Sequence, residues 1–384
     1  MSVWAAVVGQ QPVVAALQQA ARSAALTHAW LFTGPPGSGR SVAARAFAAV
    51  LQCTSAEPGC GTCQGCRTTL AGTHPDVREV VPEGLSISVG EMRTLVTEAS
   101  RRPVAGRWQV LLISDADRLT EGAANALLKA VEEPPPRTVF LLCAPSDHPE
   151  DIAVTLRSRC RPVGLRTPCA AAVADVLQRR DGLDAETARW AASVCGGHVG
   201  RARRLATDPD ARARREAVLA VPTALRSLGA AFALADELVG AAESEATGLT
   251  SARNAAETEE LETALGAGGT GKGAAAATRG AKGALRDLER RQKSRATRTQ
   301  RDALDRALVD LAGFYRDALA MAWGATVALT HPDRAADLSA VAAASSPEAL
   351  LRRLEAVLAC RTALELNVKP RIAVEALTCT LQSS

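Results

Sequence analysis

Three groups of residues in this 384-residue chain have types and spacings that could do chemistry. Gly34-Pro35-Pro36-Gly37-Ser38-Gly39-Arg40-Ser41 lies between the apolar run 29–33 and the helix-forming run 42–48. That is the outline of a P-loop, whose backbone N–H groups and following helix N-terminus make a concave site for the phosphates of a nucleotide. One residue departs from the pattern G-x-x-x-x-G-K-[ST]: Arg40 stands where lysine is called for. Arginine keeps the charge, but its planar fork cannot replace a compact ammonium between β- and γ-phosphates without moving something. The second group is Cys53, Cys60, Cys63 and Cys66, four thiols within fourteen residues, with Gly and Pro between them. Their two C-x₂-C gaps match the reach of tetrahedral thiolate coordination, so the spacing predicts a closed, structural Zn²⁺ site, and His74 is not needed as a ligand. The third is Ser158-Arg159-Cys160, which taken alone reads as a surface charge beside a buried cysteine.

The elements that must position these residues follow from hydrophobic patterning. Residues 29–33, 108–113 and 138–144 are nearly continuous apolar runs, as expected for strands of a parallel sheet covered on both faces. Helical spacing is expected over 11–27, 42–48 and 121–133, the last with Thr120 as N-cap and Pro134-Pro135 as its stop. A short strand followed by a helix is expected over 86–100. Strand and helix alternate from 29 to 163, which predicts a doubly wound parallel sheet with the P-loop at the carboxyl end of its first strand. Ser114-Asp115-Ala116-Asp117 follows the strand 108–113, where a Walker B site places acidic residues for Mg²⁺ and the attacking water.

Bulk properties narrow the classes. The net charge of +4 permits nucleic-acid contact without demanding it. There is no apolar stretch long enough for a membrane span and the first residues lack a signal-peptide pattern, so a cytoplasmic protein is expected, and ten cysteines there point to metal rather than disulfides. Residues 165–210 are expected as a small helical lid and 211–384 as an all-helical domain, interrupted by a low-complexity, flexible insertion at about 264–283. The basic run 286–298 has two readings, a DNA-contacting patch or a solvated helix face; lacking interleaved aromatics, it fits the second better.

Taken together, the knuckle 60–66, Asn125-Ala126-Leu127-Leu128-Lys129 with Glu132-Glu133-Pro134-Pro135, and Ser158-Arg159-Cys160 resemble the bacterial sliding-clamp loader, the AAA+ assembly of the DNA polymerase III holoenzyme. The resemblance covers about residues 5–205 with specific motifs. It implies an AAA+ P-loop α/β domain over 1–164 with a zinc module at 53–66, the lid, and a collar that holds a ring together. It implies that Arg159, with Ser158 and Cys160, reaches across a subunit boundary to ATP held by a neighbour. Partners would be gamma/tau and delta subunits, with the sliding clamp and primed DNA met through the complex. Gly34, Gly37, Ser38, Gly39, Arg40, Ser41 and Asp115 would form the chain's own ATP/Mg²⁺ pocket, and Gly196-Gly197-His198 the turn before a sensor arginine, at Arg201 or Arg203.

Departures from the family pattern choose among its branches. Besides Arg40, Ser114 falls where the metal-associated aspartate belongs, Asp115 where the catalytic glutamate belongs, and Ala144-Pro145 where a sensor threonine belongs. Such losses resemble the delta prime branch, which lends its arginine and does not turn over ATP. The alternatives are a gamma/tau-type motor with arginine in place of lysine, and a zinc-dependent DNA-binding module built on 53–66 and 286–298.

Overall fold

The computed structural model describes residues 2–23, 25–265 and 274–383, with the backbone alone over 274–282. It divides into two compact units, residues 1–82 with 86–207, and residues 83–85 with 208–384.

The first unit is built on a five-stranded, all-parallel sheet of order β2-β3-β4-β1-β5, with β1 Ala29–Thr33, β2 Val77–Val80, β3 Gln109–Ile113, β4 Thr138–Ala144 and β5 Arg161–Gly164. Every residue of β3 and β4 is buried, because helices cover both faces and leave no solvent side for polar residues. The two-residue period divides each strand between two cores. Trp30, Phe32, Leu112 and Leu141 pack with Phe47 on one face; Leu31, Leu111, Ile113 and Phe140 pack with Leu127 and Met92 on the other.

The helices of this unit are α1 Gln11–Arg22, α2 Arg40–Leu51, α3 Gln64–Leu70, α4 Val89–Ala99, α5 Glu121–Glu132, the single turn α6 Val154–Arg157, and then α7 Ala170–Asp181, α8 Ala185–Val194 and α9 Val199–Thr207. The last three share a small core of Val173, Leu177, Ala188, Ala191 and Ala202. Ser88 and Glu91 close a reciprocal capping box on α4, and the Thr120 hydroxyl accepts the Ala123 N–H at the start of α5. The strand expected before α4 is reduced to one bridge, Ile87 to Leu119, since Ser88 is already spent as the cap of the helix.

The second unit is helical: α10 Pro209–Ala224, α11 Leu228–Ala264, α12 Ala274–Ala322, α13 Ala335–Ala344, α14 Pro347–Glu365 and α15 Pro370–Ser383. Its core joins Leu219, Leu308, Leu311, Phe314, Leu350 and Leu377. Of the insertion expected at about 264–283, residues 266–273 lie outside the described residues and the remainder from Ala274 belongs to α12. Among the described residues no helix is long and apolar enough to cross a membrane.

Candidate nucleotide and metal sites

β1 delivers the chain into the Gly-rich loop, and Gly39, in the left-handed region at φ 88°, turns it into α2. The loop is held from several sides. The Gly34 N–H donates to the Pro145 carbonyl at 3.1 Å, and Leu165 N–H donates to Thr33 O at 2.7 Å. Buried Gln10, just before α1, bridges the Ser38 carbonyl (3.3 Å) and the Arg166 carbonyl (2.5 Å) through its amide nitrogen. A Cβ on Gly37 would lie 2.7 Å from the His198 Cβ, so only glycine lets the loop pass beneath the turn preceding α9. The hydroxyl of Ser38 is buried and makes no hydrogen bond.

The Arg40 side chain folds back on its own loop, with Nη1 donating to the Gly34 carbonyl at 2.6 Å. At the tip of β3, Ser114 Oγ donates to Glu79 Oε1 at 3.0 Å, and Glu79 is gripped by Arg45 of α2 through two bonds of 2.6 and 2.9 Å. Burial, then the neighbouring Asp115 carboxylate, raise the pKa of Asp117. Just past β4, the Pro145 carbonyl is spent on the Gly34 N–H. Arg203 is paired with Asp181 at 2.9 Å within the helices that follow the sheet. The crevice thus keeps the form of a phosphate cradle. Its Arg40 guanidinium and the Ser114 hydroxyl are bonded to the protein itself, while the Ser38 hydroxyl is left unpaired.

Cys53, Cys60, Cys63 and Cys66 converge just past the far end of α2, their sulfurs all within 4.8 Å of one another. Cys53 Sγ lies 3.7 Å from Cys60 Sγ and 3.8 Å from Cys63 Sγ. A tetrahedron with Zn–S of about 2.3 Å has edges of about 3.8 Å, so the donor set fits a four-thiolate ion. Backbone geometry prepares it. The Cys63 N–H points at Cys60 Sγ (3.4 Å) and the Cys66 N–H at Cys63 Sγ (3.5 Å) as α3 begins. The first of these, with the Thr62 N–H, lowers the Cys60 pKa to about 5; burial raises that of Cys66, a cost that a bound cation would remove. A Cβ on Gly65 would stand 2.1 Å from the Gln52 carbonyl, so the knuckle can lie directly on the end of α2.

Ser158-Arg159-Cys160 sits between α6 and the edge strand β5. Cys160 is buried and its thiol is pushed up to about 12 by burial, which makes it a packing residue. Arg159 is 40 % exposed; it donates through Nη1 to the Thr155 carbonyl (2.9 Å) and Ser158 Oγ (3.2 Å), and Nη2 lies 2.6 Å from Glu132 Oε1 at the end of α5.

Within 286–298 one cation is internal and another is paired along its own helix. Arg295 is buried and makes two bonds to Glu257 of α11, and Arg298 lies 3.6 Å from Asp302. Arg286, Arg291 and Lys293 are exposed.

Sequence patterns gave no warning of Glu79, Gln10 or the Arg159–Glu132 pair. Glu79 lies on a four-residue edge strand with no clear alternation, and Gln10 is one of two adjacent glutamines at the start of α1. The sequence signal that was available is the pair Glu132-Glu133 at the end of a helix, where carboxylates oppose the macrodipole.

By fold and loop this is a P-loop protein of the AAA+ class. Its sequence relates it to the DNA polymerase III delta subunits and to gamma/tau. Residues 9–168 match the model described as DNA polymerase III, delta subunit, and residues 298–377 the one described as DNA polymerase III, delta subunit, C terminal. The chain is 35% identical over 214 residues to the DNA polymerase III subunit delta' of Pseudomonas aeruginosa, covering 54% of this chain and 65% of that protein. It is 35% identical over 158 residues to the subunit delta' of Bacillus subtilis, covering 41% of this chain and 47% of that one. A solved gamma subunit-related protein of Thermotoga maritima aligns with 97% of this chain and 98% of its own at 15% identity and a TM-score of 0.41. The matches to curated relatives thus span less than two thirds of those proteins' own lengths.

Proposed function

We propose that this chain is a delta prime-type subunit of a DNA polymerase III clamp loader, which helps place a sliding clamp on primed DNA. In this reading it keeps a nucleotide pocket without turning ATP over, and lends Arg159 to ATP held on a gamma/tau-type neighbour. Residues 1–164 form the nucleotide module, 165–210 the lid and 211–384 the collar, in the cytoplasm. The delta' relatives support the subunit assignment.

The observation that carries the division of labour is the state of the β3 tip. A motor needs a carboxylate there for Mg²⁺ and the attacking water. Here Ser114, bonded to Glu79, stands at the metal position and the shorter Asp115 at the position for the water, while Arg40 is spent on Gly34. Arg159, by contrast, is a partly exposed, permanently charged guanidinium suited to the charge that develops on a γ-phosphate. Cys53, Cys60, Cys63 and Cys66 would hold a structural Zn²⁺, with no open position for substrate.

The test is ATP turnover in a loader reconstituted with its gamma/tau and delta partners. Arg159→Ala is expected to lower the DNA-stimulated rate roughly a thousandfold while the complex still assembles. Unchanged turnover would sink the assignment. The isolated chain is expected to show no hydrolysis, and turnover abolished by Arg40→Ala would instead make it a motor.

A further inference from the structure

Arg159 is not extended toward solvent in this chain. Its guanidinium is held at three points: the Thr155 carbonyl, Ser158 Oγ and the Glu132 carboxylate. The first two acceptors belong to the same turn and are neutral. Glu132 comes from another element, the last residue of α5, and brings a full negative charge to 2.6 Å.

That glutamate stands against local preference. A carboxylate at a helix C-terminus faces the negative end of the macrodipole, and the last turn of α5 has one basic residue, Lys129. A departure from local preference is commonly offset elsewhere in the fold, and Arg159 is in contact with this one. Both side chains are 40 % exposed, so the pair is screened by water and easily broken.

We propose that Glu132 is a positioning residue for Arg159, an electrostatic latch that holds the finger against α5 until a neighbour's polyphosphate displaces the carboxylate. The proposal rests on the assignment of Arg159 as a trans finger. A triphosphate carries more negative charge than one carboxylate and offers matching oxygens, so it wins the guanidinium once the subunits close. Before closure, Glu132 cancels part of the Arg159 charge and keeps Nη2 occupied. The latch would therefore suppress premature turnover in a loader that has not yet met DNA.

Glu132→Gln keeps the shape and an acceptor oxygen while removing the charge. In the reconstituted loader without DNA, Glu132→Gln is expected to raise ATP turnover about twofold to fivefold, the range of an exposed ion pair. The gain should shrink toward one as salt rises to about 0.5 M, because screening weakens the wild-type latch and a purely structural role would show no such trend. Arg159→Ala in the same assay and thermal melting of each variant separate the failures. If Arg159→Ala abolishes turnover but Glu132→Gln leaves the DNA-free rate unchanged or lower with unaltered melting, the latch is overturned and the finger stands. If Arg159→Ala has no effect, both fall.

Discussion

The two ends of α2 carry two sites that differ in what they retain. Past its C-terminal end, four sulfurs stand at the spacing of a tetrahedral ion, with N–H groups already aimed at two of them. At its N-terminal end the glycine loop keeps its curvature, but Arg40 is bonded to Gly34 and Ser114 to Glu79. The difference lies in how each site is assembled. The cysteine site draws all its donors from fourteen consecutive residues, so each one is needed and none can be replaced from elsewhere. The crevice draws on β1, β3, β4 and the turn before α9, and its individual donors can be lost while the backbone that shapes it stays pinned by Gln10, Pro145 and Leu165.

This contrast can be broken most forcefully at the cysteine end. Removing metal with a strong chelator is expected to lower the melting temperature by more than about 10 °C, given the large binding energy of structural zinc. Metal analysis should find one zinc per chain, lost in Cys63→Ser; full-stability protein with no bound metal would remove the distinction between the two ends. A smaller effect is expected at Arg40. Arg40→Lys releases the Gly34 carbonyl and should raise affinity for a fluorescent ATP analogue about tenfold, the worth of one charged hydrogen bond, without hydrolysis, since Ser114 still offers no carboxylate. Appearance of turnover in that variant would show the crevice to be one residue from a motor. The smallest effect belongs to Asp117. Its pKa is raised in the folded chain, so it favours folding below its unfolded value and that contribution is lost as pH rises through the folded value. Asp117→Asn should therefore stabilise the protein at pH 7, by under about 1 kcal/mol, and the gain should vanish in acid melts below the ordinary aspartate range. A loss of stability at pH 7 would mean that the carboxylate has a stabilising cationic partner.

The three central strands were legible because a strand buried on both faces has no polar side, and 108–113 and 138–144 read as unbroken apolar runs. β2 and β5 were not, because each is four residues long at a sheet edge and half open to water. The basic run 286–298 was visible as charge. That Arg295 points inward to Glu257 of α11 depends on the pairing of two long helices, which no local pattern encodes.

What the sequence by itself determined are the properties confined to one stretch of backbone: the glycine loop, the thiol spacing, the helix caps and the strand–helix alternation. Each is set by torsional freedom, side-chain reach or hydrophobic period within a few residues. Only the tertiary structure decided where the polar groups of those stretches spend their bonds: Arg40 on Gly34, Ser114 on Glu79, Arg159 on Glu132. A guanidinium or hydroxyl takes whichever acceptor packing brings within about 3 Å, and for Ser114 and Arg159 that acceptor is carried by a different element of the fold.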